Sequence, residues 1–264
     1  MGSIIAMVEL KNISLSIRDK VILKDFSFRI EKNKTTVIVG PSGAGKSSIL
    51  RIIAGLWRPD SGEIIFNGEN VFRMTEKGYN AMRKKIGIVF QSNALFDSLT
   101  VNENILYFLP ERKSLTDREL LGISERLLSF VNMEGTGYLY PEELSGGMKK
   151  RIAIARALAF KPKLILFDEP TTGLDPLNSE AIIELIEKLK NKGTTSVVVS
   201  HILNDVMELG EQILFINNGR IVETGTIDKI VTSEDPLVNR FFYQLNRHNQ
   251  IIEPGYKKYE LINA

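Results

Sequence analysis

The sequence predicts an α/β fold: a mostly parallel sheet covered on both faces, with antiparallel β hairpins, an inserted mostly helical subdomain and a C-terminal extension. Three observations point there. Short continuous apolar runs at residues 36–39, 164–167 and 196–199 suit strands buried on both faces. Helical patterns at 47–53 and 178–190 alternate with them, as an α/β core requires. Asn67-Gly68, after Ile64-Ile65-Phe66, and Asn218-Gly219, before Ile221-Val222, read as hairpin turns, because Asn-Gly tolerates the positive φ of a tight turn.

Composition narrows the class. The chain has 264 residues, 43% hydrophobic and 25% charged, enough for one domain with an insertion or for two small domains. A net charge of +2 argues against a dedicated nucleic-acid binder, so no nucleic-acid partner is expected. The absence of cysteine excludes a disulfide framework and a thiolate metal site. Residues 1–10 lack the basic segment of a signal peptide, and no uncharged apolar run approaches the roughly 18 residues that span a bilayer. Any membrane role is expected to come through a partner.

The first core element leads into Gly40-Pro41-Ser42-Gly43-Ala44-Gly45-Lys46-Ser47, a full phosphate-loop motif between an apolar strand and a helix. Its glycines let successive N–H groups curl toward phosphate oxygens, and the helix N-terminus adds partial positive charge. Lys46 is expected at the β- and γ-phosphates, Ser47 on Mg²⁺, and Ser48 in the ATP-binding stretch. Residues 88–90 read as another strand, and Gln91 after it supplies an amide able to touch both Mg²⁺ and an attacking water.

Residues 92–160 are helix-rich and strand-poor, which divides the chain into an α/β core (1–91 and 161–234), a helical insertion (92–160) and a C-terminal piece (235–264). The insertion contains Leu144-Ser145-Gly146-Gly147-Met148 ahead of a basic helical stretch, a second phosphate-binding helix end. Two such ends in one chain are reconciled by two chains arranged head to tail, each phosphate loop facing the partner's Ser145. Past the insertion, the run at 164–167 ends in Asp168-Glu169, at the strand edge where open α/β sheets bind ligands. Asp168 is expected to hold Mg²⁺ and Glu169 to polarise the attacking water as general base. His201 follows the run at 196–199 and is expected to bond a γ-phosphate oxygen.

Together these residues resemble the ABC ATPase family, from about Val8 to Ile230 and in the family's order. The resemblance implies a P-loop NTPase (RecA-like) core, ATP hydrolysis with Mg²⁺ as cofactor, and a homodimer. It places Asp175, in Gly173-Leu174-Asp175-Pro176, on the loop lining the dimer interface. Two positions depart from the pattern. The signature ends in Met148 rather than Gln, and the adenine-stacking aromatic is replaced by Ile17, with Arg18 beside it. Residues 90–101, Met148 and the start of the tail at Asp235-Pro236-Leu237-Val238 further resemble the ATPases of Mla-type, MCE-linked phospholipid transporters. That implies the cytoplasmic face of a bacterial inner membrane, an integral permease, MCE-type lipid-binding subunits and small regulatory subunits. The alternative is an amino-acid or other small-solute importer. Soluble ribosomal ABC proteins carry two cassettes and SMC-like ATPases a long coiled coil, and neither feature occurs here.

In the insertion, Leu95, Phe96 and Leu99 are expected in part to line a groove for a membrane partner. In the tail, Pro236 starts a helix whose face is Val238, Phe241, Phe242 and Leu245. An extended arm follows, with Ile251, Ile252, Tyr256, Tyr259 and Leu261 as apolar groups, and the tail is expected to dock on a second copy rather than on its own core.

Overall fold

The structure, a computed structural model, describes residues 6–109 and 114–249. The chain divides into two compact units, Met1–Arg73 with Val197–Ala264, and Met74–Ser196.

The first unit holds two sheets. β1 (Ala6–Ile17), β2 (Lys20–Glu31), β4 (Ser61–Phe66) and β5 (Glu69–Asn70) form an antiparallel sheet in the order β2-β1-β4-β5. β1 and β2 meet through Arg18 and Asp19, both at positive φ (47° and 64°). β3 (Thr35–Val39) lies parallel to β9 (Gln212–Asn217), with Val39 opposite Phe215, and β9 pairs antiparallel with β10 (Arg220–Gly225). Every residue of β3 is buried, as its apolar run predicts. α1 (Lys46–Ile53) follows it and buries Ile49, Leu50, Ile52 and Ile53. α7 (Leu203–Leu209), α8 (Ile227–Val231) and α9 (Pro236–Asn249) complete the unit.

The tail helix docks on its own chain. Val238 is 0% exposed, and the Phe241 and Phe242 rings lie 5.1 and 6.4 Å from the ring of Phe215 in β9. For this helix the expectation of docking on a second copy is corrected: Phe215, flanked by buried Leu214 and Ile216, offers the apolar surface within the chain itself. The arm carrying Ile251, Ile252, Tyr256, Tyr259 and Leu261 lies outside the described residues.

The second unit holds β6 (Ile86–Val89) parallel to β7 (Leu164–Asp168), with Val89 opposite Phe167, and the helices α2 (Glu76–Arg83), α3 (Val101–Leu106), α4 (Asp117–Phe130), α5 (Gly146–Leu158) and α6 (Pro176–Asn191). Thr100 and Thr116 close capping boxes with Glu103 and Glu119, which start α3 and α4. β8 (Thr195–Val199) straddles the boundary: Thr195 N–H bonds Lys163 O in the second unit, and Ser200 N–H, just past its end, bonds Ile38 O in the first. Among the described residues no helix is long and apolar enough to cross a membrane.

The second Asn-Gly turn supports the phosphate loop. Asn218 (φ 46°) and Gly219 (φ 71°) turn β9 into β10, Gly219 N–H bonds Ala44 O at 3.1 Å, and Lys24 N–H bonds Gly219 O at 3.1 Å. A Cβ on Gly219 would stand 2.2 Å from Ile22 O, whereas one on Gly68 (φ 89°) would meet nothing within 4 Å. Left-handed backbone costs an L residue about 1–2 kcal/mol, so Gly68→Ala carries that cost alone and Gly219→Ala adds the clash. Thermal denaturation is expected to show Gly219→Ala lowering Tm by roughly 5–10 °C, at about 2–4 °C per kcal/mol, and clearly more than Gly68→Ala.

Candidate functional site

In the first unit the site is built from the ends of β3 and β8. Gly40 opens the phosphate loop at φ 146°, and a Cβ there would lie 2.0 Å from Ile216 O. Only glycine passes β9 at that point. Ala44 N–H bonds Pro41 O at 3.2 Å, closing the loop over Ser42 and Gly43. Gly45, at φ 104°, caps α1, whose first turn carries no acid to oppose an anion. Lys46 is 8% exposed, and its Nζ donates to Gly40 O at 2.8 Å and Pro41 O at 2.9 Å. Ser47 and Ser48 lie in the first turn of the same helix. The bond from Ser200 N–H to Ile38 O brings exposed His201 to the sheet edge where Gly40 leaves β3. That turn is pinned from below: Ser200 Oγ donates to Asp205 at 2.6 Å and accepts from Ile202 N–H at 3.0 Å. Asp205, 1% exposed, has no sequence motif to mark it. Ile17 sits at the end of β1, 38% exposed.

In the second unit, Gln91 and Asp168 follow or end parallel neighbours, so they share one edge. Asp168 is 8% exposed. Glu169 is left-handed (φ 54°), a conformation that a residue with a Cβ rarely adopts, and its Oε2 accepts from Thr172 Oγ at 2.7 Å. Backbone strain of this kind concentrates at functional sites.

Ser145 is the N-cap of α5, accepting from Met148 N–H at 3.3 Å, and it is exposed together with Gly146. The helix start is joined to the start of α6. Arg151 Nη2 donates to Asn178 Oδ1 at 3.1 Å, Asn178 Nδ2 donates to Asp175 Oδ2 at 2.5 Å, and Asn178 N–H donates to Asp175 Oδ1 at 3.0 Å. The Asn178 side chain, then its backbone N–H, hold the Asp175 carboxyl below the usual aspartate range. Gly147 is buried against this network, and a Cβ on it would fall 2.5 Å from Asn178 Oδ1.

Nothing in the sequence marks Lys150 and Arg156, since a basic helical stretch reads as a solvated face. Both are buried, at 2% and 9% exposure, and both bond the segment after β6. Burial pushes the Lys150 ammonium down to about 8, against the opposing pull of the Asp168 and Glu169 carboxylates. Burial also lowers the pKa of Arg156. The structure thus gathers the phosphate loop and His201 in one unit, and Gln91, Ser145, Asp168, Glu169 and Asp175 in the other.

In the second unit the Asp168 carboxylate at its strand end and the Gln91 amide are hard oxygen donors of the kind Mg²⁺ takes, and in the first unit the Ser47 hydroxyl is another.

The family described as ABC transporter matches residues 23–172. The chain is 36% identical over 236 residues to the intermembrane phospholipid transport system ATP-binding protein MlaF of Haemophilus influenzae, covering 89% of each protein. It is 37% identical over 240 residues to MlaF of Escherichia coli K12, covering 90% of this chain and 89% of that one. Among solved structures it is similar to the ATP-binding cassette MJ0796, a dimer in a post-hydrolysis state bound to ADP and Pi, with a TM-score of 0.76 and 34% identity over 84% of this chain and 99% of that one. This chain belongs to the ABC transporter family, as an ATPase whose hydrolysis is coupled to transport.

Proposed function

We propose that this ATPase powers phospholipid transport between the inner and outer membranes of a bacterium, as a homodimer on the cytoplasmic face of the inner membrane. The observation that carries the reading is its likeness to two MlaF proteins along about nine-tenths of its length and of theirs. In this reading a membrane permease and MCE-type lipid-binding subunits are its partners, with residues 92–160 acting as the helical signature subdomain. Purification of the native complex from detergent-solubilised membranes, with mass spectrometry of both proteins and lipids, tests it. A permease, an MCE-type subunit and bound phospholipid are expected, while a small-solute permease in their place overturns it in favour of an importer.

For the chemistry, Lys46 and the loop amides bind the β- and γ-phosphates, and Ile17 covers the base. Ser47, Asp168 and Gln91 would hold Mg²⁺, which would neutralise phosphate charge. Glu169 takes the proton of the attacking water, while His201 and Gln91 keep that water oriented. Ser145, Gly146, Gly147 and Met148 of a second copy close on the γ-phosphate, and Asp175 lines the interface. Glu169→Gln is expected to lower turnover by about 10²–10⁴-fold with ATP affinity retained, measured by phosphate release and nucleotide binding. Lys46→Ala is expected to weaken binding and hydrolysis together.

The trans arrangement has its own test. Ser145→Arg and Lys46→Ala chains are each expected to be inactive. Mixed, they place both defects in one composite site and leave the other whole, so hydrolysis returns. Absence of rescue in a confirmed mixed dimer shows that signature and phosphate loop serve the same chain's site.

Coupling to the membrane partner is assigned to the segment after Gln91. Leu95 and Leu99 are half-buried, but Phe96 is 37% exposed, with the Tyr107 and Phe108 rings 4.6 and 6.1 Å away. Phe96→Asp is expected to abolish transport in reconstituted vesicles while the isolated ATPase stays active. An unfolded variant assigns Phe96 to internal packing instead.

A further inference from the structure

The segment between β6 and α3 is strapped to the signature helix by two buried cations. Lys150 Nζ donates to Gln91 O at 2.9 Å and Phe90 O at 3.4 Å, and Arg156 donates to Ala94 O at 2.6 Å and Asn93 O at 2.8 Å. Asn93 and Ala94 are both left-handed, at φ 64° and 50°, a backbone state that persists only where its surroundings impose it. The Gln91 side chain itself is exposed. Its place is therefore set through its backbone, and the donor that sets it is Lys150.

Packing alone does not explain a lysine there. A methionine of similar length fills the same volume without desolvating a charge, but it takes this donor from the Gln91 carbonyl, whereas the Phe90 carbonyl keeps the Asn93 N–H at 3.0 Å. The same helix begins at Ser145, whose hydroxyl caps it, so a displacement of that cap along the helix axis is delivered by Lys150 to the Gln91 carbonyl.

We propose that Lys150 is a positioning residue for hydrolysis: by holding the Gln91 carbonyl from the signature helix, it makes the glutamine and Ser145 move as one piece. This rests on the reading of Gln91 as the residue that orients the attacking water. Lys150 is 2% exposed and donates to Gln91 O, and in this proposal it acts through Gln91.

A double-mutant cycle on the full chain tests it, with Lys150→Met and Lys150→Gln each made alone and together with Gln91→Ala, and with kcat, KM for ATP and Tm measured. Misplacing a catalytic group by an ångström costs on the order of 10²-fold, so Lys150→Met is expected to lower kcat by about 10–100-fold with KM nearly unchanged. Lys150→Gln, whose amide still donates to a carbonyl, is expected to recover most of that loss. In the Gln91→Ala background Lys150→Met is expected to add less than about twofold, because the two act as a unit. Full activity in Lys150→Met, or equal losses with and without Gln91, overturns the proposal. Should Lys150→Met fail to fold, the cycle is read with Lys150→Gln, whose smaller loss must likewise vanish in Gln91→Ala. A Gln91→Ala chain with normal kcat refutes the role of the glutamine and this proposal with it. A defective Gln91→Ala beside an unaffected Lys150→Met refutes the positioning role alone.

Discussion

A buried carbonyl outside helix or sheet must find a donor, and leaving one unmet costs about 1–3 kcal/mol. The segment from Phe90 to Thr100 concentrates part-buried carbonyls that side chains reach, at Phe90, Gln91, Asn93 and Ala94, then at Phe96, Leu99 and Thr100. Buried side chains donate to all of them, Lys150 and Arg156 to the first group and Asn104, 0% exposed, to the second, while Phe90, Phe96 and Thr100 also accept from the backbone N–H of Asn93, Leu99 and Asn104. Asn104 also accepts from Phe96 N–H, so one amide fixes both polar groups of that residue. The phosphate loop follows the same rule through Lys46 and the Gly219 N–H. Segments satisfied in this way take their shape from contacts of the chain itself, and electrostatic catalysis needs donors aimed before charge develops.

The same rule explains which features are legible in the sequence. β3, β7 and β8 are continuous apolar runs because both their faces are covered, and each is predicted to within one residue. The phosphate loop, the acids after β7 and the capping serine of α5 declare themselves because their chemistry restricts residue type. The hairpin of β1 and β2 does not. Its turn is Arg18-Asp19 rather than Asn-Gly, and bulges near Asn12 and Asp25 break the alternation that marks a strand. Lys150, Arg156 and Asp205 are equally silent, because a buried polar residue and a solvated one are the same letter. Periodicity located the apolar face of α9 but carried no information about what that face would meet, which is Phe215 of its own chain.

Glu169 combines both kinds of information. Its type and place, after an apolar strand, are read directly, but its left-handed backbone is not. That geometry is stabilised by the Thr172 hydroxyl within the turn leading to Asp175. Asp175 in turn holds Asn178, which packs against Gly147 and accepts from Arg151. A chain of polar contacts therefore links the start of the signature helix to the turn that follows the two acids. It is built almost wholly from residues whose individual letters suggest nothing more than helix caps.

The pairing of β3 with β9 has a consequence for biosynthesis. Thr36 Oγ donates to Gln212, and the two residues are 176 positions apart in the chain. A ribosome adding 5–20 residues per second takes about 10–35 s to cover that interval. Throughout it the strand that leads into the phosphate loop lacks its neighbour, and the loop lacks the glycine turn that supports Ala44. During that interval the nascent chain carries a glycine-rich loop and an apolar strand without the partner strand and turn that later support them.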